Sequence, residues 1–236
     1  FGSTALFANT TGSYNTAMGV DALQQNTTTS NNTAVGYQAL YSNVSVGGSN
    51  TAVGYQAGAG GQKNNGVAIG LQAGCTNQGT SSIAIGNMAG YSGQSSSSVA
   101  IGDSAGFGAQ AGYTVAIGSQ AGYWYQSGFS IAIGTKAGYS TQNQYAVAVG
   151  YQAGSTNQGT YAIAIGSSAG QTVQNQYAIG IGYLAGSNNQ GTSTIGIGYM
   201  AGYNNQSLYG VGVGYQAGYD SQQTGSIAIG YQSGYT

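Results

Sequence analysis

The sequence predicts an all-β fold, a parallel β-solenoid (β-roll) built from coils of sixteen residues. The first observation is one short pattern, an aliphatic, a small and an aliphatic residue followed by Gly-x-x-Ala-Gly, which recurs in phase. The second is its period, which is fixed and too short for a helical hairpin repeat, so each unit stacks on its neighbours. The third is the alternation within the pattern, which is typical of a strand with two different faces. The glycine that follows each aliphatic triplet is the anchor of its coil, and the regular anchors are Gly54, Gly70, Gly86, Gly102, Gly118, Gly134, Gly150, Gly166, Gly182, Gly198, Gly214 and Gly230.

Repeat length divides the chain into two segments of one continuous solenoid. Residues 1–50 carry looser copies of seventeen to eighteen residues, with anchors at Gly2, Gly19 and Gly36 and an eighteen-residue step from Gly36 to Gly54. Residues 51–236 repeat regularly every sixteen residues. Solenoids need polar capping units at their ends, and neither segment supplies one. We therefore expect the chain to be a fragment of a longer fibre.

The aliphatic triplet is the predicted strand of each coil. In Ile131-Ala132-Ile133, alternate side chains face opposite sides, so one face is large and aliphatic and the other is Ala or Gly. The small face stays apolar from coil to coil, which indicates burial on both faces. Because one thin coil buries too little apolar area to hold by itself, we expect the Ala/Gly face to pack against other copies in a closed oligomer.

Glycine and glutamine mark the turns that follow the strand. A Gly stands four residues past most anchors, as at Gly138, which fits a corner that needs positive φ or leaves no room for a side chain. Gln stands eight residues past the anchor in every complete regular coil, and stacked amides can hydrogen-bond along the axis. The members of this predicted structural ladder are Gln62, Gln78, Gln94, Gln110, Gln126, Gln142, Gln158, Gln174, Gln190, Gln206 and Gln222.

Composition excludes several functions. The chain has two basic and three acidic residues and no histidine, so electrostatic attraction to nucleic acid is not expected. No apolar segment is long enough to cross a bilayer, and a single cysteine, Cys75, excludes an internal disulfide framework. Asp21, Asp103 and Asp220 lie many coils apart. We therefore expect no catalytic site, no metal site, no cofactor and no enzymatic activity.

The strand residues resemble those of a known family. Ser82-Ile83-Ala84-Ile85-Gly86 and Ser130-Ile131-Ala132-Ile133-Gly134 resemble the YadA-type head repeat of trimeric autotransporter adhesins. The segments 32–40 and 50–58 resemble repeats of that kind in fibre proteins of phages and large viruses. The resemblance covers the whole chain and implies a left-handed roll, assembled as a homotrimer, that works in adhesion or as a fibre. The chain departs from the family in its repeat length, because family heads usually have a shorter repeat.

Aromatic residues supply the candidate surface binding patch. The densest group is Tyr123, Trp124, Tyr125 and Phe129, and Trp124, the only tryptophan, is predicted in an exposed, variable turn. A solenoid with almost no charge recognises partners through aromatic faces, amides and hydroxyls, which suits neutral glycans. The alternative is that the aromatic residues stack along the axis as a structural ladder and that binding occurs elsewhere in the fibre.

Together these features predict an extracellular structural fibre on a cell surface or virion. It would be the shaft or head of an adhesin or a phage or viral tail fibre, and would mediate or support adhesion to a host or surface. The expected partners are further copies of the chain and neutral glycans or cell-surface receptors, with no nucleic acid and no membrane insertion. The alternative is a self-assembling surface or matrix filament with a purely mechanical role. An ice-binding solenoid would need a regular ladder of Thr pairs, which the variable positions do not supply.

Overall fold

The protein is a parallel β-solenoid, which confirms the predicted fold class. The computed structural model describes residues 2–43 and 48–235, so positions 44–47 of the first predicted segment, together with Phe1 and Thr236, lie outside the described residues. The described residues form short strands and turns and no helix. Within each unit, the strands formed by successive regular triplets pair in parallel sixteen residues apart, as when Ile131 pairs with Val147 and Ala132 with Ala148.

The fold consists of two compact units, Phe1–Ser119 and Gln120–Thr236. In the first unit the strands formed by the aliphatic triplets pair in parallel as one main sheet, and a shorter sheet forms from the segments that contain the Gln positions. The main strands are β1 (Thr16–Met18), β2 (Thr33–Val35), β3 (Thr51–Val53), β5 (Val67–Ile69), β7 (Ile83–Ile85), β8 (Val99–Ile101) and β9 (Val115–Ile117), and the shorter sheet contains β4 (Gly60–Gln62) and β6 (Thr76–Gln78).

The second unit repeats this arrangement with greater regularity. Its main sheet again takes one triplet from every coil, and its second sheets contain the segments that end in the ladder glutamines. The main strands are β11 (Ile131–Ile133), β13 (Val147–Val149), β15 (Ile163–Ile165), β16 (Ile179–Ile181), β18 (Ile195–Ile197), β20 (Val211–Val213) and β21 (Ile227–Ile229). The second sheets contain β10 (Trp124–Gln126), β12 (Ser140–Gln142) and β14 (Thr156–Gln158), and separately β17 (Asn188–Gln190) and β19 (Asn204–Gln206).

The small residue of each triplet faces the interior of its own coil. Ala132 is fully buried within the single chain. A Cβ on Gly138 of the same coil would lie 3.2 Å from the Cβ of Ala132, so the turn after the strand closes directly over the Ala face. The prediction that this face packs against another copy is therefore wrong. The coil is so thin that its own turn fills the space beside the strand, and only Ala or Gly fits there.

The anchor glycines are required by both conformation and packing. Gly134 has a φ of +123°, a region that residues with a side chain rarely adopt. A Cβ at this position would lie 2.5 Å from the carbonyl oxygen of Gly150 in the next coil. The same close approach links Gly150 to Gly166 and Gly166 to Gly182. The repeated anchor therefore allows backbones of successive coils to approach each other at a corner.

The second glycine of the repeat makes room for the ladder glutamine. A Cβ on Gly138 would lie 2.7 Å from Oε1 of Gln142, so a larger residue would displace that amide from the interior. The looser early coils place a buried leucine at this position, Leu23 and Leu40. At the change from one kind of coil to the other, a Cβ on Gly58 would lie 2.9 Å from Cδ2 of Leu40. Leu in the early coils and Gln in the regular coils thus fill equivalent interior space.

Candidate functional site

The aliphatic residues of the main strands face outward in the second unit. Ile133 is 37% exposed and Ile165 is 39% exposed, whereas the intervening Ala164 is fully buried. Ile131 and Ile163 are half-buried, because their neighbours along the sheet cover part of each side chain. The outer face of this sheet is therefore an uncharged aliphatic surface that repeats at every coil. Sequence reasoning recognised the two faces of the triplet but did not expect the aliphatic one to face solvent.

A row of aromatic side chains precedes the main strands of the second unit. It consists of Phe129, Tyr145, Tyr161 and Tyr177, each two residues before its strand, and is called the leading row below. Successive ring centroids lie 5.3, 4.8 and 5.4 Å apart, with interplanar angles of 14°, 7° and 9°. The rings are thus stacked on one another along the direction of coil stacking, and each remains between 40% and 49% exposed.

A trailing row of tyrosines follows the main strands in the later coils. Tyr183, Tyr199, Tyr215 and Tyr231 stand one residue past their anchors, with centroid separations of 5.3, 5.0 and 5.2 Å. A ring in such a stack is covered on its faces by its neighbours and presents mainly its edge and hydroxyl group to solvent. Sequence reasoning gave stacking of the aromatic residues along the axis as one of two interpretations, but it did not identify the members of these two rows. Their sixteen-residue spacing was the signal that could have found them.

The leading row occupies a strained backbone position. Its residues have φ values of 61°, 60°, 60° and 59°, in the left-handed region where bulky residues are uncommon. The equivalent position of other coils has the same conformation with a small or amide residue, as at Asn65 and Ser81. The conformation is therefore a property of the coil and not of the aromatic residue. It fixes the direction in which each ring leaves the backbone.

The four residues of the predicted patch fall in two different places of the repeat. Trp124 and Tyr125 lie in β10 and not in a turn, and they are 39% and 66% exposed. Tyr123 contacts Trp124 edge-on, with ring centroids 4.9 Å apart, and also stacks on Tyr139. Phe129 stacks on Tyr145 in the leading row. The register of the sheet places Ser140 beside Trp124 in the next coil, so the row of Trp124 has no aromatic residue there.

The ladder glutamines point into the interior and form a hydrogen-bonded column in the second unit. Nε2 of Gln142 donates to Oε1 of Gln158 at 3.0 Å, and Nε2 of Gln158 donates to Oε1 of Gln174 at 3.2 Å. The same nitrogens donate to main-chain carbonyls, as from Gln142 to Ile131 at 2.7 Å. Each amide therefore links neighbouring coils and also joins the second sheet to the main sheet. In the first unit Gln62 and Gln78 make the equivalent contact.

Ionisable groups contribute little to this surface. Burial raises the pKa of the Cys75 thiol, which keeps it protonated and poorly nucleophilic at neutral pH. Burial also raises the pKa of Tyr219, and the neighbouring Tyr235 and Tyr203 phenols and Asp220 carboxylate raise it further.

Within residues 2–43 and 48–235, no three His, Cys, Asp or Glu side chains come together in a way that could hold a metal ion. Nor does any helix long and apolar enough to span a membrane occur in that part of the chain.

The chain was compared with protein-family models, curated proteins and solved structures. No family model, curated protein or solved structure matches it. The candidate functional surface therefore rests on the geometry alone. It consists of the outward aliphatic face of the main sheet, the stacked aromatic rows and the neighbouring pair Trp124 and Tyr125.

Proposed function

We propose that this chain is part of an extracellular attachment fibre, the shaft or head of an adhesin or of a phage or viral tail fibre. One observation carries the proposal: in the second unit, coils of equal length stack in strict register and present an uncharged, outward aliphatic face from strand to strand. Stacked coils that contact only their neighbours form elongated and mechanically continuous structures.

The outward Ile and Val residues support self-association. Contiguous exposed apolar surface on a soluble protein usually marks an interface, and the main-sheet face of the second unit is apolar over successive strands. In the proposed assembly three copies bury this face against one another as left-handed rolls, which also removes the open lateral surface. The interface uses the aliphatic face of the triplet, because the Ala face already lies inside each coil.

The proposed partners beyond the chain itself are neutral glycans or cell-surface receptors, and Trp124 with Tyr125 is the proposed contact. Aromatic rings with a polar group bind sugars through one apolar face and one hydrogen bond, and they require no charge. Tyr125 is 66% exposed. In the next coil, the residue paired with Trp124 is Ser140, which is not aromatic. The stacked tyrosines of the leading and trailing rows are less suited to this contact, because their ring faces lie against each other.

The second candidate is a surface or matrix filament whose role is purely mechanical. The stacked rings favour it, since each row joins successive coils and leaves few ring faces for a ligand. Both candidates need the same self-associating shaft. They differ in whether this chain itself contacts a receptor.

Sedimentation and adhesion measurements on the full chain test the proposal. Ile165→Thr combined with Ile197→Thr reduces the outward aliphatic face and should convert trimers to monomers, whereas Val173→Thr, outside the main sheet, should not. A parent chain that sediments as a folded monomer contradicts the assembly.

Binding to immobilised neutral glycans should be lost in Trp124→Ala/Tyr125→Ala at an unchanged melting temperature and retained in Tyr151→Ala. Equal glycan and cell binding by the double variant and the parent favours the mechanical filament.

A further inference from the structure

We propose that the stacked tyrosines are an oxidative cross-linking site, at which a haem peroxidase and hydrogen peroxide join successive coils through dityrosine. The strongest site is the tyrosine part of the leading row, Tyr145, Tyr161 and Tyr177. The trailing row of Tyr183, Tyr199, Tyr215 and Tyr231 has the same arrangement. This inference goes beyond the proposed function, because it applies equally to an attachment fibre and to a mechanical filament.

Proximity and orientation favour coupling between successive coils. The rings of Tyr145 and Tyr161 have centroids 4.8 Å apart and an interplanar angle of 7°, and those of Tyr161 and Tyr177 are 5.4 Å apart at 9°. Two nearly parallel rings at this separation face each other, so a modest rotation of the side chains brings a carbon next to the hydroxyl-bearing carbon of one ring to the equivalent carbon of the other. A bimolecular radical coupling thereby becomes an intramolecular step between groups that are already aligned.

The backbone holds this arrangement in place. The amide of Tyr161 donates to the carbonyl of Gln144 at 3.1 Å, and the amide of Tyr177 donates to the carbonyl of Thr160 at 3.1 Å. Each tyrosine is therefore bonded through its own amide to the residue that precedes the tyrosine of the previous coil. The shared φ of about 60° gives all three side chains the same starting direction. The pairs stay aligned as long as the coil register is maintained.

The rings are also accessible to an oxidant. Tyr145, Tyr161 and Tyr177 are 40%, 46% and 49% exposed, so their hydroxyl groups and ring edges meet solvent. The chain contains one cysteine, Cys75, and it belongs to the first unit, where it is half-buried with a raised thiol pKa. The second unit therefore has no thiol that would reduce a tyrosyl radical formed in its rows.

The chemistry balances with one molecule of hydrogen peroxide for each cross-link. The peroxidase removes one electron and one proton from each of two phenols, which leaves two phenoxyl radicals and reduces the peroxide to two molecules of water. The radicals form a carbon–carbon bond between the ring carbons adjacent to the hydroxyl-bearing carbons. Each bonded carbon then loses its hydrogen as a proton and its phenol oxygen gains one, so both aromatic rings are restored. The product has lost two hydrogens relative to the two tyrosines.

A cross-link of this kind closes a loop of one coil. In the chain-entropy description of covalent links, a closed loop reduces the freedom of the unfolded chain and so stabilises the folded one. Several such links along the leading and trailing rows would connect successive coils covalently. The expected change for one link is a rise in melting temperature on the order of 5 °C.

Peptide mapping after oxidation of the folded full chain tests this proposal. Treatment with a haem peroxidase and hydrogen peroxide should produce dityrosine fluorescence, and mass spectrometry should identify Tyr145–Tyr161 or Tyr161–Tyr177 as intrachain links at high dilution. Tyr161→Phe should abolish both links while preserving the stack, since Phe129 already stacks on Tyr145 in this row. Tyr209→Phe is the matched control, because its position is occupied by Ser193 and Gly225 in the adjacent coils, and it should leave both links unchanged.

Three results would overturn the proposal. One is a folded chain that gives no dityrosine although free tyrosine in the same reaction is coupled. Another is a set of links that is as random in the folded chain as in the chain unfolded by denaturant. The third is exclusive formation of links between chains, recognised as dimers on a denaturing gel that disappear on dilution. A rise in melting temperature that is equal in the oxidised parent and oxidised Tyr161→Phe would exclude this row as the stabilising link.

Discussion

Gln142 and Gln158 lie one coil apart, and the side-chain amide of Gln142 donates to the side-chain oxygen of Gln158 at 3.0 Å. The same amide donates to the carbonyl of Ile131 at 2.7 Å, and its own side-chain oxygen accepts from Gln126 at 3.1 Å. One buried side chain thus connects three successive coils and two sheets. Polar groups in an interior rich in Ala are tolerated because each of these contacts is satisfied.

Replacement of Gln142 by Ala should destabilise the solenoid by about 1–3 kcal/mol, because buried polar partners lose their hydrogen bonds. Chemical denaturation followed by circular dichroism measures the change. Gln144→Ala is the matched control, since Gln144 is exposed in the same coil and should have little effect. Equal destabilisation by both variants would show that the amide column does not contribute specifically to stability.

Replacement of Gly134 by Ala should be severely destabilising. The new Cβ would meet the carbonyl oxygen of Gly150 at 2.5 Å and would also force an alanine to adopt a φ of +123°. Gly230→Ala separates the two effects, because its φ is +115° but no atom lies within 4 Å of the new Cβ. We expect about 1–3 kcal/mol from strain alone at Gly230 and a larger loss at Gly134. A similar melting temperature for the two variants would contradict the proposed close approach of coils.

Replacement of Ala132 by Leu should impair folding of the single chain and not merely its association. Ala132 is fully buried beside Gly138, and inserting a larger side chain into a closed interior costs about 1–3 kcal/mol or more. Ser119→Leu, at an exposed position, is the control. Melting temperature and sedimentation should be measured together. An Ala132→Leu chain that melts like the parent but no longer associates would show that the Ala face contacts other copies and does not lie inside its own coil.

Alkaline pH should reduce the stability of the later coils. The pKa of Tyr219 is raised above its ordinary value of 10.0, first by burial and then by Tyr235 and Tyr203. A folded state that holds the proton more tightly than the unfolded state gains stability that is full below pH 10.0 and is lost as the pH rises past the raised value. Tyrosinate absorbance measures the titration. Tyr203→Phe and Tyr235→Phe should each move the Tyr219 midpoint downwards, and an unchanged midpoint would exclude coupling between the phenols.

The sequence predicted the fold because its period and its alternation act at every coil. The sixteen-residue spacing of the anchors determines that Ile131 pairs with Val147 and that Gln126 is followed by Gln142 in the ladder. Any feature that recurs in phase must stack on its own copy. The aromatic rows follow from the same rule, although only their spacing, and not their stacking geometry, is visible in the sequence.

The sequence by itself determined the period, the strands and the residues that stack from coil to coil, because these depend only on repetition and on alternation along the chain. Only the tertiary structure decided which face of the triplet lies inside. The alternation of Ile131, Ala132 and Ile133 shows that two faces differ, but either could have been buried. The turn through Gly138 closes so tightly over the strand that Ala132 fits beneath it and an aliphatic side chain does not. The same closure turns the larger residues outward, where they form the surface available to partners.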